Sequence, residues 1–169
     1  MAELESELAR ARRLGSSITV LLIDVDDFTH VNDSLGHVHG DEVLRRLSER
    51  LRALARPTDV VARLGGDEFA VVLRESTLDD AEHLALRLEI ALRVRPLHPP
   101  LRIRVTHGAS ELSSDDDPAA LIRRTERDLM VRRAAKHTER PAPPGPHEPQ
   151  AQGRTGRPTL RLLPGGAEG

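Results

Sequence analysis

The chain has no cysteine, no tryptophan and no tyrosine, and only two phenylalanines. Without cysteine there are no disulfides and no thiolate metal sites, which fits a reducing cytoplasm without requiring one. Without the large aromatics, the core has to be built from Leu, Val, Ile and Ala. No apolar run approaches the length that spans a bilayer. The opening MAELESELARARRLG mixes acids with arginines and holds no apolar stretch of signal-peptide length. A strong charge of one sign is lacking too: a net charge of −2 gives no global reason to expect nucleic acid as a partner. These absences describe a cytoplasmic, soluble chain with no membrane segment.

Hydrophobic residues make up 38% of the 169 residues, and the shortage is concentrated at one end. From Arg140 the text reads RPAPPGPHEPQAQGRTGRPTLRLLPGGAEG. Such a Pro/Gly/Arg-rich run cannot bury enough apolar surface to offset its ordering entropy. The expected organisation is a short N-terminal helix over 1–14, one folded domain over 15–138 and a disordered tail over 139–169. Leu4, Leu8 and Ala11 carry the helix, which is too short to be a stable coiled coil alone.

Within the domain, Ile18–Ile23 (ITVLLI) is a continuous β-branched and leucine run, read as a central strand buried on both faces. Val43, Leu44, Leu47, Leu51 and Leu54 mark an amphipathic helix whose other face is rich in arginine. DVVARL and FAVVL flank a glycine turn as two antiparallel strands. Leu84, Leu88 and Leu92 mark another helix, and Leu101, Ile103 and Val105 alternate as a strand. Asp117-Pro118 opens a last helix with an N-cap acid and an N1 proline. The order β-α-β-β-α-β-α predicts an α+β fold of split-βαβ type, an antiparallel sheet covered by helices on one side.

Two acidic clusters end buried strands. DVDDF leaves the first strand, and RLGGDEFAVVL puts two glycines and two acids at the tip of the hairpin. A plain hairpin turn needs only Asn-Gly or Asp-Gly. In a split-βαβ sheet the two strands are neighbours, so both clusters meet at one edge. Carboxylates about 4 Å apart repel by several kcal/mol at intermediate dielectric, and a divalent cation reverses that sign. Oxygen-only ligands select Mg²⁺ or Mn²⁺, and two such ions activate a hydroxyl and clamp a phosphate. Gly65 and Gly66 allow backbone conformations and close approaches that a side chain would block. Solvated turn residues are the plain alternative for either cluster alone. An EF-hand loop counted from Asp24 fails, because Thr29 falls where glycine is needed. His30, His37 and His39 carry no full zinc pattern. Phe28 and Phe69 each follow a cluster directly and are placed to brace it.

RLGGDEFAVVL, preceded by LLIDVDDFTHVNDSLGHVHGDEVL, resembles the GGDEF family of diguanylate cyclases. The resemblance runs from about Ile18 to Arg133. The pairing of D-x-D-x-F and G-H-x-x-G-D with R-x-G-G-D-E-F makes it specific. It implies a polymerase-palm-like fold and condensation of two GTP into cyclic di-GMP with release of pyrophosphate. It implies two metal ions per active site and a homodimer, since each domain binds one GTP. Residue by residue, Asp24 and Asp67 match the metal-binding carboxylates and the Val25 carbonyl a further ligand. Glu68 is the remaining motif acid, a metal ligand or an aid in deprotonating the 3′-hydroxyl. Asn32 and Asp41 match the guanine-reading residues, and backbone amides near Asp27 and Phe28 would hold phosphates. RPTD (Arg56 to Asp59), five residues before the glycines, matches the family's R-x-x-D product-inhibition site; an ordinary helix-to-strand turn is the other reading.

The sequence also departs from the family pattern. Thr29 stands where a lysine is usual, and the last helix reads TERDLMVRRAAKH, with Arg133 in place of lysine, Met130 of tyrosine, Glu126 of aspartate and His137 of arginine. Arg133 keeps a positive charge for the substrate. The early D-x-L-T-x-L-x-N-R segment is absent, which predicts a missing part of the nucleotide pocket. A receptor that binds cyclic di-GMP through Arg56 and Asp59 without catalysis is therefore the alternative to a cyclase.

Overall fold

The computed structural model describes residues 6, 9–10, 13, 15–99, 101–113 and 116–139. Leu4, Leu8 and Ala11, on which the expected N-terminal helix rests, lie outside the described residues, as does all of the expected 139–169 tail except Glu139, which closes the last helix. The β-branched run becomes β1 (Ile18–Val25), with all eight residues buried. Two helices follow, α1 (Phe28–Leu35) and α2 (His37–Leu54), then the hairpin β2 (Val60–Gly65) and β3 (Glu68–Arg74). The chain continues through α3 (Leu78–Val94), β4 (Val105–Glu111) and α4 (Pro118–Glu139). The four strands form one sheet in the order β2-β3-β1-β4, antiparallel throughout. This is the α+β, split-βαβ arrangement that the order of elements predicts.

Alternation along β1 sorts its side chains to two cores. Leu21, Ile23 and Val25 pack with Phe69, Val71 and Leu73 of β3 and with Val43, Leu44, Leu47, Ala81, Leu84 and Leu88 of α2 and α3. Ile18, Val20 and Leu22 turn the other way and pack with Ala70 and Val72 against Leu121, Ile122 and Leu129 of α4. The sheet is therefore covered on both faces, not on one. A strand apolar on both sides requires this, because exposing either row would leave three large aliphatic side chains in water.

Caps set the helix starts. Thr77 and Asp80 form a capping box at α3: the Asp80 amide donates to the Thr77 hydroxyl (3.4 Å) and the Thr77 amide donates to Asp80 (3.0 Å). Asp117 accepts from the Ala120 amide ahead of Pro118, the N-cap and N1 proline read from the sequence.

Two other elements differ from expectation. The strand expected over Leu101–Val105 lies at Val105–Glu111, because its partner ends there: Val25 pairs with Val105 and the ladder runs from that pair to Thr19 with Glu111. Residues 101–104 have no strand beside them, although Ile103 still buries against the core. Helix α1 was not legible from periodicity, since it is one short element with a single fully buried residue, Val31.

Candidate functional site

The site is built where β1 runs out. Asp24 pairs with Glu68 of β3 on one side and Thr106 of β4 on the other. The Val25 amide donates to the Asp67 carbonyl (3.3 Å), and the Asp26 amide donates to the Arg104 carbonyl (2.9 Å). The end of β1 is thereby pinned between the hairpin tip and the approach to β4. Both acidic clusters meet at one sheet edge, as the topology requires.

At the tip, Leu64 is an extra residue between the Arg63–Phe69 and Gly65–Glu68 pairs, a bulge that re-aims the strand end. Gly66 takes φ 51°, and Arg63 locks the turn by donating Nε and Nη2 to the Gly66 carbonyl at 2.9 and 2.6 Å. A Cβ on either Gly65 or Gly66 would meet nothing within 4 Å. The glycine face is open to an incoming ligand. Behind it the Phe69 ring is fully buried, and Phe28 packs against the same core, so each ring braces its acidic cluster from inside.

Asp24 is 4% exposed, and burial pushes its carboxyl up from the ordinary value. Asp67 and Asp26 push in the same direction by repulsion. Opposing them is the guanidinium of Arg133 on α4, which donates to Asp24 Oδ1. Arg133 is itself held further in its charged form by Asp24 first, then by Asp67 and Glu68. One cation thus sits in the field of three expected metal-site acids. One helical turn on, Lys136 donates to Asp26 Oδ2 (3.5 Å) and to the Val105 carbonyl. Thr106 donates its hydroxyl to the other Asp26 oxygen at 2.5 Å. Asp26, Thr106 and Lys136 are members of this edge that motif reasoning passed over. The signal for Lys136 was in plain view: it is the single lysine of a chain that otherwise uses arginine.

The placement of α4 depends on one close approach. A Cβ on Gly108 in β4 would lie 2.3 Å from the Leu129 amide nitrogen and 2.7 Å from the Thr125 carbonyl oxygen. Only glycine lets the helix lie flat enough on β4 for Arg133 and Lys136 to reach the acids.

Asp24, the Val25 carbonyl, Asp67 and Glu68 are all oxygen donors of the kind that hold Mg²⁺ or Mn²⁺, and the demand of this edge for positive charge is met by Arg133. In donor chemistry they fit such an ion. Among the described residues, no three acidic, histidine or cysteine side chains converge closely enough to hold one. Arg133 occupies Asp24 Oδ1, so an ion on that oxygen would have to displace it.

Beside the acids, Asp27 takes a left-handed conformation (φ 56°) at the N-terminus of α1, whose first-turn amides are the expected phosphate donors. Asn32 and Asp41 come from α1 and α2, and the two helices approach at Gly40: a Cβ there would lie 1.9 Å from Asn32 Oδ1. Asn32 is half-buried and Asp41 exposed at the start of α2. Thr29 is exposed on α1. The His137 side chain lies outside the described residues.

Arg56 and Asp59 stand at the far end of the sheet. Asp59 accepts from the Arg56 amide (2.8 Å) and the Arg74 amide (3.4 Å), so its oxygens tie the α2–β2 turn to the end of β3. The Arg56 guanidinium reaches Ser76 Oγ and Asp80 Oδ1, each at 3.4 Å, and remains mostly exposed.

The protein-family model "Diguanylate cyclase, GGDEF domain" matches residues 1–140. Among curated proteins, the chain is 34% identical over 129 residues to diguanylate cyclase DgcP of Pseudomonas aeruginosa, covering 75% of this chain and 19% of that one. It is 33% identical over 139 residues to response regulator PleD of Caulobacter vibrioides (79% and 31%) and 36% identical over 129 residues to diguanylate cyclase DosC of Escherichia coli (74% and 28%). The chain thus spans less than a third of the length of these relatives. Among solved structures, the active GGEEF domain of a diguanylate cyclase from Vibrio cholerae superposes with a TM-score of 0.73 at 31% identity, covering 79% of this chain and 87% of that one. With a matched family model, relatives above 30% identity and the same fold, the chain belongs to the GGDEF diguanylate cyclase domain family.

Proposed function

We propose that this domain is a diguanylate cyclase, condensing two GTP into cyclic di-GMP. The observation that carries the reading is that adjacent strands bring Asp24, Asp67 and Glu68 to one end of the sheet, where Arg133 bonds Asp24. In each of two steps the 3′-hydroxyl of one GTP attacks the α-phosphorus of the other. A new P–O bond forms, the bond to pyrophosphate breaks, and the hydroxyl proton is given up. Because the product is symmetric, two domains face each other, each holding one GTP, and a homodimer is required. Two Mg²⁺ or Mn²⁺ ions, held by Asp24, the Val25 carbonyl, Asp67 and Glu68, would supply charge neutralisation on the phosphates and a more acidic hydroxyl.

The chain's own residues do the positioning. Asn32 and Asp41 read guanine, as amide and carboxylate can. The first-turn amides of α1 hold phosphate oxygens, and the open face at Gly65 and Gly66 lets the nucleotide lie against backbone. Arg133 guards the acids until substrate and metal enter, then adds positive charge beside the phosphates, where Thr29 supplies none. Glu68 is a ligand or helps remove the hydroxyl proton. Product binding at Arg56 and Asp59 would inhibit. To bind there, Asp59 has to share oxygens already engaged with backbone amides.

One observation favours a second reading. The seating of Arg133 on Asp24 neutralises the acid that catalysis needs, which suits a domain that binds cyclic di-GMP without making it. Pyrophosphate release from GTP by the purified domain, at concentrations that allow dimers, tests between them. The cyclase reading expects release that Asp67→Ala abolishes. Release undiminished in Asp67→Ala would refute the site assignment, and no release from wild type would leave the receptor reading.

A further inference from the structure

Two histidines outside the acidic edge come together from distant parts of the chain. His39, on the first turn of α2, and His98, in the loop before β4, place their ring centroids 5.4 Å apart at an interplanar angle of 88°. Three features set this pair apart. His98 Nδ1 is the one buried side-chain nitrogen or oxygen among the described residues that has no hydrogen-bond partner. His39 Nδ1 lies 2.8 Å from the Leu35 carbonyl, and an acceptor there assigns it the proton, leaving the lone pair on Nε2. A histidine that ligates a metal commonly donates its other ring N–H to a carbonyl in this way. Finally, with metal–nitrogen bonds of about 2 Å, two imidazoles sharing one tetrahedral ion have ring centres roughly 5 Å apart, close to the separation observed.

We infer that His39 and His98 form a binding site for a borderline divalent transition-metal ion such as Zn²⁺, Ni²⁺ or Cu²⁺, with water completing the shell. Imidazole nitrogens suit these ions and suit Mg²⁺ poorly, so the site is chemically distinct from the carboxylate edge. Local charge permits it: Arg46, which bonds the neighbouring Leu97 carbonyl (2.7 Å), is already paired with Glu42. The site also touches the nucleotide side of the domain. His39 adjoins Gly40, where Asn32 crosses α2, so an ion on His39 braces the α1–α2 junction. This inference does not rest on cyclase activity.

The test is titration of the untagged chain with Zn²⁺ and Ni²⁺ against a chromogenic chelator, with Co²⁺ absorption as a second readout. His39→Ala and His98→Asn are compared with His30→Ala and His37→Ala. Wild type is expected to bind one ion that His39→Ala and His98→Asn each weaken at least tenfold, while His30→Ala and His37→Ala leave it intact. Thermal melts of His39→Ala and His98→Asn that match wild type separate loss of the ion from a folding effect. The inference is overturned if wild type binds no ion competitively, or if both pair variants bind as wild type does.

Discussion

Arg133 on α4 and Asp24 at the end of β1 form an ion pair across the sheet edge, yet the Asp24 carboxyl stays above its ordinary pKa. Burial, with repulsion from Asp67 and Asp26, outweighs the favourable guanidinium. The folded state therefore binds a proton at Asp24 more tightly than the unfolded chain does. That contribution to stability is present below the unfolded carboxylate pKa and is lost as pH rises through the folded value. Once ionised, Asp24 is a charge that the fold would be more stable without.

Asp24→Asn keeps the shape and removes that charge. In buffer free of divalent ions it should leave the domain at least as stable as wild type, by about 1 kcal/mol or a few degrees in Tm, while abolishing GTP turnover. Thermal melts at pH 5 and pH 8 check the sign. The gap between variant and wild type should widen at the higher pH.

Removing the other partner should act in the opposite direction. Arg133→Ala leaves a buried carboxylate with no guanidinium and should cost about 1–2 kcal/mol, less than a fully buried pair because Arg133 is partly exposed. Adding Asp24→Asn to Arg133→Ala should recover most of that loss. A denaturant-based double-mutant cycle measures the coupling.

Gly108→Ala drives a methyl into the α4 backbone. The helix must shift, at a cost of about 2 kcal/mol or more, and Arg133 and Lys136 move with it. Stability and any GTP turnover should both fall, whereas Ala109→Gly next door, which relieves no such contact, should not displace the helix. Urea melts and hydrogen exchange along α4 separate the two.

A second ionic cluster closes the β4 edge of the sheet. Glu82 of α3 accepts from Arg132 of α4 (2.6 Å) and lies 3.0 Å from His107 Nε2 of β4. The Arg132 guanidinium holds the Glu82 carboxyl below its ordinary range. Its stabilising effect is present above the unfolded pKa and is lost as pH falls through the folded one. Glu82→Gln should cost about 0.5–1 kcal/mol at pH 7, discounted because the pair is partly exposed. Wild type and variant should converge in stability only as pH falls through the depressed Glu82 pKa of the folded state.

The sheet, its antiparallel hairpin and the convergence of the two acidic clusters were legible because each rests on local pattern plus a fixed topology. Ile18–Ile23 reads as a strand buried on both faces, and the expected cover on one side alone was at odds with that pattern. What escaped depends on long-range geometry. Leu101 and Ile103 carry strand alternation, but pairing stops at Val105 because β1 ends at Val25. Arg133 was legible as a positive charge but not as the partner of Asp24. Its reach is decided by a glycine in another element, Gly108, and by the depth of α4 on the sheet. Asp59 reads in sequence as a binding acid, and its bonds to the Arg56 and Arg74 amides appear only once the turn is folded.

The most direct test is incubation of the purified domain with GTP and Mg²⁺, following nucleotides by chromatography. The account predicts cyclic di-GMP, formed only with the divalent ion present and at a rate per protein that rises with protein concentration as dimers form. GTP left intact at high protein and Mg²⁺ concentration would contradict it.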